Sequence, residues 1–316
     1  MGRCLGSILS VYTCVYVCVL TAVTSCSRPT TTREETASIR ALRLTGVIPS
    51  QGRHNYVTAV TSLGDDVFTV RWFGQLVEVY DANTGTFALQ RYISVPGLFY
   101  SHGLAACAHH KCLYVSDCHQ YSVHRVDLSR SNAARKWSVA KEPRGLSVNG
   151  AHNVVVACCG ANRLQEYTTE GTIVRDIRLS GMTNPWHAVQ LSSGHYAVSQ
   201  FTGSGLVGVV AVDGQVVRSC GQSQSSDVAG KLEYPKSLAV TKNDDILVAD
   251  DMHNRILSMS SSLECVRELV LPVDDGISEP EGLCLDESRG RLHVSESGGQ
   301  NRLLVFDVIL RSVEVC

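Results

Sequence analysis

The sequence predicts an all-β chain, a six-bladed β-propeller with four-stranded antiparallel blades, and three observations carry that expectation. The first is a self-contained unit, YPKSLAVTKNDDILVADDMHNRILSM at Tyr234–Met259, which reads as three short strands and two turns. The second is its recurrence, in six copies starting near Tyr56, Gly103, Gly145, His187, Ser237 and Gly282. The third is the interval between those starts, 42 to 50 residues, which is the length of a propeller blade. A three-stranded unit of this size cannot bury its own faces, so the copies have to stack on one another.

In the Tyr234–Met259 unit, Ser237 to Val240 alternates as a short strand, and Asn243-Asp244-Asp245 has turn chemistry because these side chains bond their own backbone. Ile246 to Ala249 reads as a buried strand, Asp250 to Asn254 as a second turn, and Arg255 to Met259 as a third strand. The other copies repeat this order. The first is degenerate, through Tyr56–Val60, Val67–Val70 and Leu76–Tyr80; the second runs through His102–Ala105, Leu113–Asp117 and Ser122–Val126. The third uses Pro143–Val148, Val154–Ala157 and Asn162–Leu164, the fourth Asn184–Val189 and Tyr196–Ser199, and the sixth Glu279–Leu283, Leu292–Ser295 and Asn301–Phe306. Ile39–Gly46 is similar to Ile173–Gly181, the expected outermost strand of the third copy. The N-terminal strand is therefore expected to pair into the last blade and close the ring, which removes exposed edges; Val313-Glu314-Val315 competes for that place.

The pattern Pro-x-Gly/Ser-Leu, then an apolar strand ending in Ala-Asp or Ser-Glu, then Asn-Arg-Ile/Leu, resembles the NHL repeat over residues 38 to 316. Its Asn-Arg signature is clear at Asn162-Arg163, Asn254-Arg255 and Asn301-Arg302. The resemblance implies a six-bladed propeller acting as a recognition module, and because the family is functionally broad it implies shape far more than activity. Intracellular members of that family carry a RING, B-box and coiled coil. The region before Ile39 holds no zinc-ligand series and no heptad, so ubiquitin-ligase activity is not carried over.

With 316 residues, 44% apolar and 18% charged, the chain has the composition of a folded domain. The formal net charge of −2 gives no global electrostatic case for nucleic acid. Cys4 to Ser27 contains no charged residue and follows Arg3, which resembles a secretory signal peptide with small residues Ala22, Ser25 and Cys26 near a cleavage point. The run is also long enough for a signal anchor, and a misassigned start site is the third account. Gly6 disfavours myristoylation, and Val23-Thr24-Ser25-Cys26 mimics a lipobox as short apolar runs commonly do. The expected organisation is thus a signal peptide or anchor at 1–26, a polar linker at 27–37 and the propeller at 38–316. The expected location is secreted or extracellular, with membrane anchoring by residues 4–27 as the alternative.

Thirteen cysteines are present, four of them in the leader, and removal after Cys26 leaves nine, an odd number. Cys107 and Cys112 flank the His109-His110-Lys111 turn and face each other across a hairpin, making them the disulfide candidate in an oxidising compartment. Cys158-Cys159 should point to opposite sides, and the bland account of most of these cysteines is that they are small buried hydrophobes. No Asn-x-Ser/Thr acceptor occurs.

Propellers bind ligands at the mouth of the central channel, where the innermost strands begin. The positions expected there are Tyr56 or Asn55, His102, Arg144, Trp186 with His187, Lys236 and Glu281. This polar collar with aromatics suits a protein or peptide ligand; a solvated rim chosen for turn geometry is the competing account. His102 and His187 resemble two channel histidines of the peptidyl-hydroxyglycine amidating lyases, which carry a channel zinc. With Glu281 they form the metal candidate set, but Arg144 and Lys236 stand where further ligands belong and would repel a cation. A lactonase-like site with a divalent ion such as calcium would need Asn and Asp partners for Glu281, and Asp250-Asp251 are expected to cap a turn. The reading is therefore of a protein without a cofactor, with zinc or calcium as the alternative. The cysteines near His109-His110 and His119 lack a Cys-x-x-Cys unit, so these are read as surface histidines, and neither a phosphate loop nor a nucleophile elbow is present.

Arg125, Arg130, Arg135, Lys136, Arg144, Arg163 and Arg175, interleaved with Tyr121, Trp137 and Tyr167, make single-stranded RNA a partner if the chain is cytosolic. Each Arg of an Asn-Arg pair is expected to bond turn carbonyls instead. The Ser- and Gly-rich loop Cys220–Glu233 is expected to be mobile and to add specificity.

Overall fold

Why six copies make one molecule is visible in the computed structural model, which describes residues 37–49, 56–83, 86–129, 133–202, 205–221, 231–264, 266–269 and 276–312. The leader, the linker to residue 36, Asn55, Arg130, residues 222–230 of the Ser- and Gly-rich loop, and Val313-Glu314-Val315 lie outside the described residues. Strand β1 (Ala37–Ile48) comes first. Blade 1 follows as β2 (Val57–Leu63), β3 (Asp66–Arg71), β4 (Leu76–Asp81) and β5 (Leu89–Ser94), and blade 2 as β6 (Ser101–Cys107), β7 (Cys112–Asp117), β8 (Ser122–Asp127) and β9 (Ala134–Ser138). Blade 3 is β10 (Pro143–Val148), β11 (Val154–Cys158), β12 (Arg163–Tyr167) and β13 (Ile173–Arg178); blade 4 is β14 (Pro185–Gln190), β15 (Tyr196–Gln200), β16 (Leu206–Val210) and β17 (Val216–Cys220). Blade 5 is β18 (Pro235–Val240), β19 (Ile246–Asp250), β20 (Arg255–Met259) and β21 (Val266–Glu268), and β22 (Pro280–Asp286), β23 (Arg291–Glu296) and β24 (Leu303–Ser312) belong to blade 6. The result is six four-stranded antiparallel sheets, and among the described residues no helix is long and apolar enough to cross a membrane.

β1 pairs with β24 as the fourth strand of blade 6, from Ala37 opposite Ser312 to Ile48 opposite Leu303. The N-terminal strand therefore closes the ring, as its similarity to β13 predicts. Blade 6 is also tied to blade 1 by Arg289, which bonds the Gly64 carbonyl and Asp65, and by Arg291 on the Ala82 carbonyl at 2.7 Å.

Each seam between neighbouring blades holds its own apolar cluster. In β19, Leu247 and Ala249 pack toward blade 6, whereas Ile246 and Val248 pack toward blade 4. Successive strand residues face opposite sides, and both sides of a blade are covered, which is why β19 and β11 read as unbroken apolar runs. In β11 the same split sends Val155 and Ala157 toward blade 4 and Val154, Val156 and Cys158 toward blade 2.

The repeat motif has a local cause. Asn162, Asn254 and Asn301 sit in the left-handed region at φ 51°, 52° and 53°, which Asn tolerates better than most residues. The side-chain carbonyls of Asn162 and Asn254 then accept the backbone N–H of Asn184 and Glu279, each at 2.7 Å, in the next blade. Arg255 donates to Asp250 at 2.8 Å and to the Lys231 carbonyl at 2.6 Å; Arg302 donates to Glu296 at 2.8 Å and to the Gly276 carbonyl at 3.2 Å. These two satisfy the expectation for turn carbonyls. Arg163 instead bonds Asp176 at 2.6 Å, because Cys158 occupies the place that Asp250 and Glu296 hold in their blades.

The disulfide expectation is corrected. Cys107 and Cys112 are register partners across the β6–β7 hairpin, yet both thiols are free and buried in the seam between blades 2 and 3. Directly opposed strand residues hold their Cβ atoms about 4.5–5.5 Å apart, and a disulfide draws them to about 3.5–4.5 Å. Cys118, Cys158, Cys159 and Cys284 are free as well.

Candidate functional site

The innermost strands β2, β6, β10, β14, β18 and β22 line a channel that holds a cavity of about 210 Å³. Each of these strands carries a register irregularity one or two residues after its start, between Val57 and Ala59, Ser101 and Leu104, Pro143 and Leu146, Pro185 and His187, Pro235 and Leu238, and Pro280 and Gly282. A bulge re-aims a side chain, and the residues it re-aims are the collar: Thr58, His102, Arg144, Trp186, Lys236 and Glu281. Blade 1 is thus misassigned by the sequence. Thr58, not Tyr56, holds the equivalent place, and its hydroxyl donates to the Val70 carbonyl at 3.3 Å. Tyr56 stands two residues earlier and stacks on Trp72 at 6.0 Å and 8°. Without the Pro and Gly of the other copies, nothing in the degenerate first copy marks the register.

A second ring comes from the residue that follows each second strand: Trp72, Cys118, Cys159, Phe201, Asp251 and Ser297. This ring is not among the positions expected from sequence: a strand-ending Asp or Glu precedes it only at Cys118, Asp251 and Ser297, and nothing of that kind marks Trp72 or Phe201. Trp72 meets the His102 ring edge-on at 5.5 Å, and Trp186 meets the same ring edge-on at 4.8 Å. The Arg144 guanidinium lies 4.9 Å from the Trp186 ring and 5.9 Å from that of Trp72. Phe201 packs on Trp186 at 4.1 Å and on Tyr234 at 5.0 Å, and Lys236 lies 5.9 Å over Phe201. Beyond Trp72 the rings continue outward through Phe73, Tyr100 and Phe99, at 5.0, 4.5 and 4.7 Å.

Asp251 does not cap its turn. Asp250 accepts from the Glu233 N–H ahead of β18 and from Arg255, while Asp251 lies 3.3 Å from Lys236 at the mouth. Lys236 also bonds Glu281, so one buried ammonium serves two carboxylates. Burial, reinforced by Glu281 and opposed by Lys236, pushes Asp251 up to about 6. Burial raises Glu281 as well, and Lys236 is held above its usual value by the two acids despite its own burial. Burial and the Glu281 charge push Tyr56 up to about 12.

His187 is not available as a ligand. Leu238 N–H donates to its Nδ1 at 2.9 Å, so the ring proton resides on Nε2, which donates to the Leu146 carbonyl at 3.0 Å. Burial holds this imidazole below its usual pKa. His102 is also kept neutral by burial, helped by the charges of Arg144 and Lys236. The candidate set His102, His187 and Glu281 therefore does not converge: one ring is spent on backbone and the carboxylate on Lys236. Among the described residues no group of His, Cys, Asp and Glu is arranged to hold a metal ion.

Four of the basic residues have side-chain partners. Arg135 pairs with Glu170 at 2.5 Å, Arg163 with Asp176 at 2.6 Å and Arg175 with Glu166 at 3.6 Å, while Lys136 bonds Gln120 at 3.1 Å. His109 stacks on His152 at 4.2 Å at the other end of the channel, and His119 tilts against Tyr100 at 4.8 Å.

No family model and no curated protein matches the sequence. Solved structures do match. A streptogramin B lyase aligns with TM-score 0.60 at 10% identity, covering 83% of this chain and 97% of that one. A catalytically inactive virginiamycin B lyase from Staphylococcus aureus with quinupristin aligns at 0.59 and 12%, covering 79% and 80%. The WD40 β-propeller domain of Doa1 aligns at 0.57 and 13%, covering 84% and 97%. At these identities the likeness shows the propeller fold, which enzymes and a WD40 domain share, and nothing of the activity.

Proposed function

We propose that this chain is an NHL-type recognition propeller, non-enzymatic, that binds a protein or peptide partner through the channel mouth and the loops around it. The observation that carries the reading is the unbroken aromatic track from the exposed rim, where Phe73 is 54% and Phe99 45% accessible, through Trp72 and Trp186 to Phe201 and Tyr234. Trp, Tyr, Phe and Arg are the residue types that dominate protein-binding energy, because they bury large area at small entropic cost. The blades hold this surface rigidly, so little ordering free energy is spent on binding. Export through the leader is part of the proposal, with a membrane role only if residues 4–27 stay uncleaved. RNA as a partner finds less support, since Arg135, Arg163 and Arg175 already hold carboxylates. A zinc-dependent lyase would need His187 to release two backbone bonds, and a calcium site would need Glu281 to leave Lys236.

Selection of displayed peptides on the intact protein tests the reading. Selected ligands should lose about tenfold or more in affinity on Trp186→Ala or Phe73→Ala. His152→Ala, at the opposite end of the channel, should leave them unchanged. Ligands that bind both mouth variants as well as the parent, or stoichiometric zinc or calcium copurifying with the protein, would overturn it.

A further inference from the structure

We propose that Arg144 is a receptor for a carboxylate of the bound peptide, a deepening that rests on the recognition reading above. Three features of the mouth point to it. First, Arg144 is the collar cation left without an acid. Among the described residues no carboxylate lies within ion-pair distance of it: Glu281 and Asp251 are held by Lys236, and Glu142 lies 3.9 Å from Lys141. Second, the guanidinium is flanked by Trp72 and Trp186. Two indoles beside the guanidinium restrict the approach of a ligand, and its N–H fork matches two coplanar oxygens. Third, two buried polar atoms at this place lack a partner. The buried Nε of Arg144 has no hydrogen-bond partner, and neither has Nε2 of His102, a side chain 3% accessible that lines the cavity.

The surrounding charge selects among anions. Glu281 and Asp251 lie close enough to act on the same neighbour, Tyr56, as Arg144 does. A dianion such as a phosphate ester would meet both carboxylates with twice the charge, whereas a monoanion is balanced by the one unpaired guanidinium. The carboxylate belongs either to a peptide C-terminus or to an Asp or Glu side chain, with flanking apolar residues on the rim rings.

The test uses an array of short synthetic peptides bearing free or amidated C-termini, with Asp and Glu present or replaced by Asn and Gln, probed with the intact protein. The expected result is that binding peptides carry a carboxylate and lose about tenfold or more in affinity when it is neutralised. Loss on amidation identifies the C-terminus as the source, and loss on Glu→Gln or Asp→Asn identifies a side chain. Arg144→Gln should erase the difference between charged and neutral probes, and Arg144→Lys, which keeps charge but not the fork, should retain only part of it. The comparison of charged and neutral probes on the parent protein stands even if Arg144→Gln does not fold. Peptides that bind equally with and without the carboxylate, and are lost on Trp186→Ala, would overturn this proposal and leave the recognition reading standing. An array that retains no peptide would overturn both.

Discussion

The imidazole of His187 accepts the backbone N–H of Leu238 at 2.9 Å and donates to the Leu146 carbonyl at 3.0 Å, so one side chain in blade 4 joins the innermost strands of blades 3 and 5. Its role is to spend two backbone groups where the channel leaves no neighbouring strand to take them. The close fit extends to Gly145, where any side chain would run into the His187 ring. His187→Phe should therefore cost about 2–5 kcal/mol, since two buried backbone groups lose their partner. Urea denaturation checks this, and a loss below about 1 kcal/mol would contradict the role assigned to the ring.

Lys236 holds Glu281 and Asp251 together in a setting where all three are buried. Lys236→Met should destabilise by about 3–5 kcal/mol near neutral pH, because it leaves buried carboxylates uncompensated. The double variant Lys236→Met with Glu281→Leu should recover part of that loss, with Asp251 still uncompensated. The deficit of the single variant should also shrink in acid: both acids are raised above their unfolded values, so protonation relieves the folded state first. Equal deficits at neutral and acid pH would refute the account.

His293 is 1% accessible with neither ring nitrogen partnered, and burial pushes it down to about 4. A depressed histidine is neutral in the fold while the unfolded chain binds a proton below its ordinary value of 6.5. Stability should thus fall as the pH drops from 6.5 toward about 4, by on the order of 3 kcal/mol from this group alone. His102 and His187 are depressed by burial and add with the same sign. Denaturation curves across that range should flatten in His293→Leu, and an unchanged slope would show that other groups dominate.

Expression of the full chain in eukaryotic cells with a C-terminal tag tests export. The expected product is in the medium and begins near Ser27. A product retaining Met1 in the cytosol would revive the RNA reading and remove the reason to look for extracellular partners.

Spacing alone determined the blade count. Turn residues such as Asn243-Asp244 and the Pro-x-Gly-Leu starts act locally, through dihedral preference and side-chain-to-backbone bonds, so they can be read without knowing what packs beside them. Ring closure by β1 was legible for a similar reason: its residues repeat those of β13. The collar was legible wherever Pro or Gly marked the bulge; where both are absent, the equivalent register place is Thr58, two residues after Tyr56. Tertiary structure alone decided the rest. Asp251 looks like its neighbour Asp250 in sequence, and only the fold sets one beside Lys236 and Glu281 at the mouth and the other against Arg255 and the Glu233 N–H. His187 looks like a metal ligand until two adjacent strands claim both its nitrogens. Trp72 and Trp186 are far apart along the chain and flank one guanidinium because the ring closes. Pattern along a chain records what each blade needs of itself; what a side chain does in a narrow channel depends on which blade stands opposite.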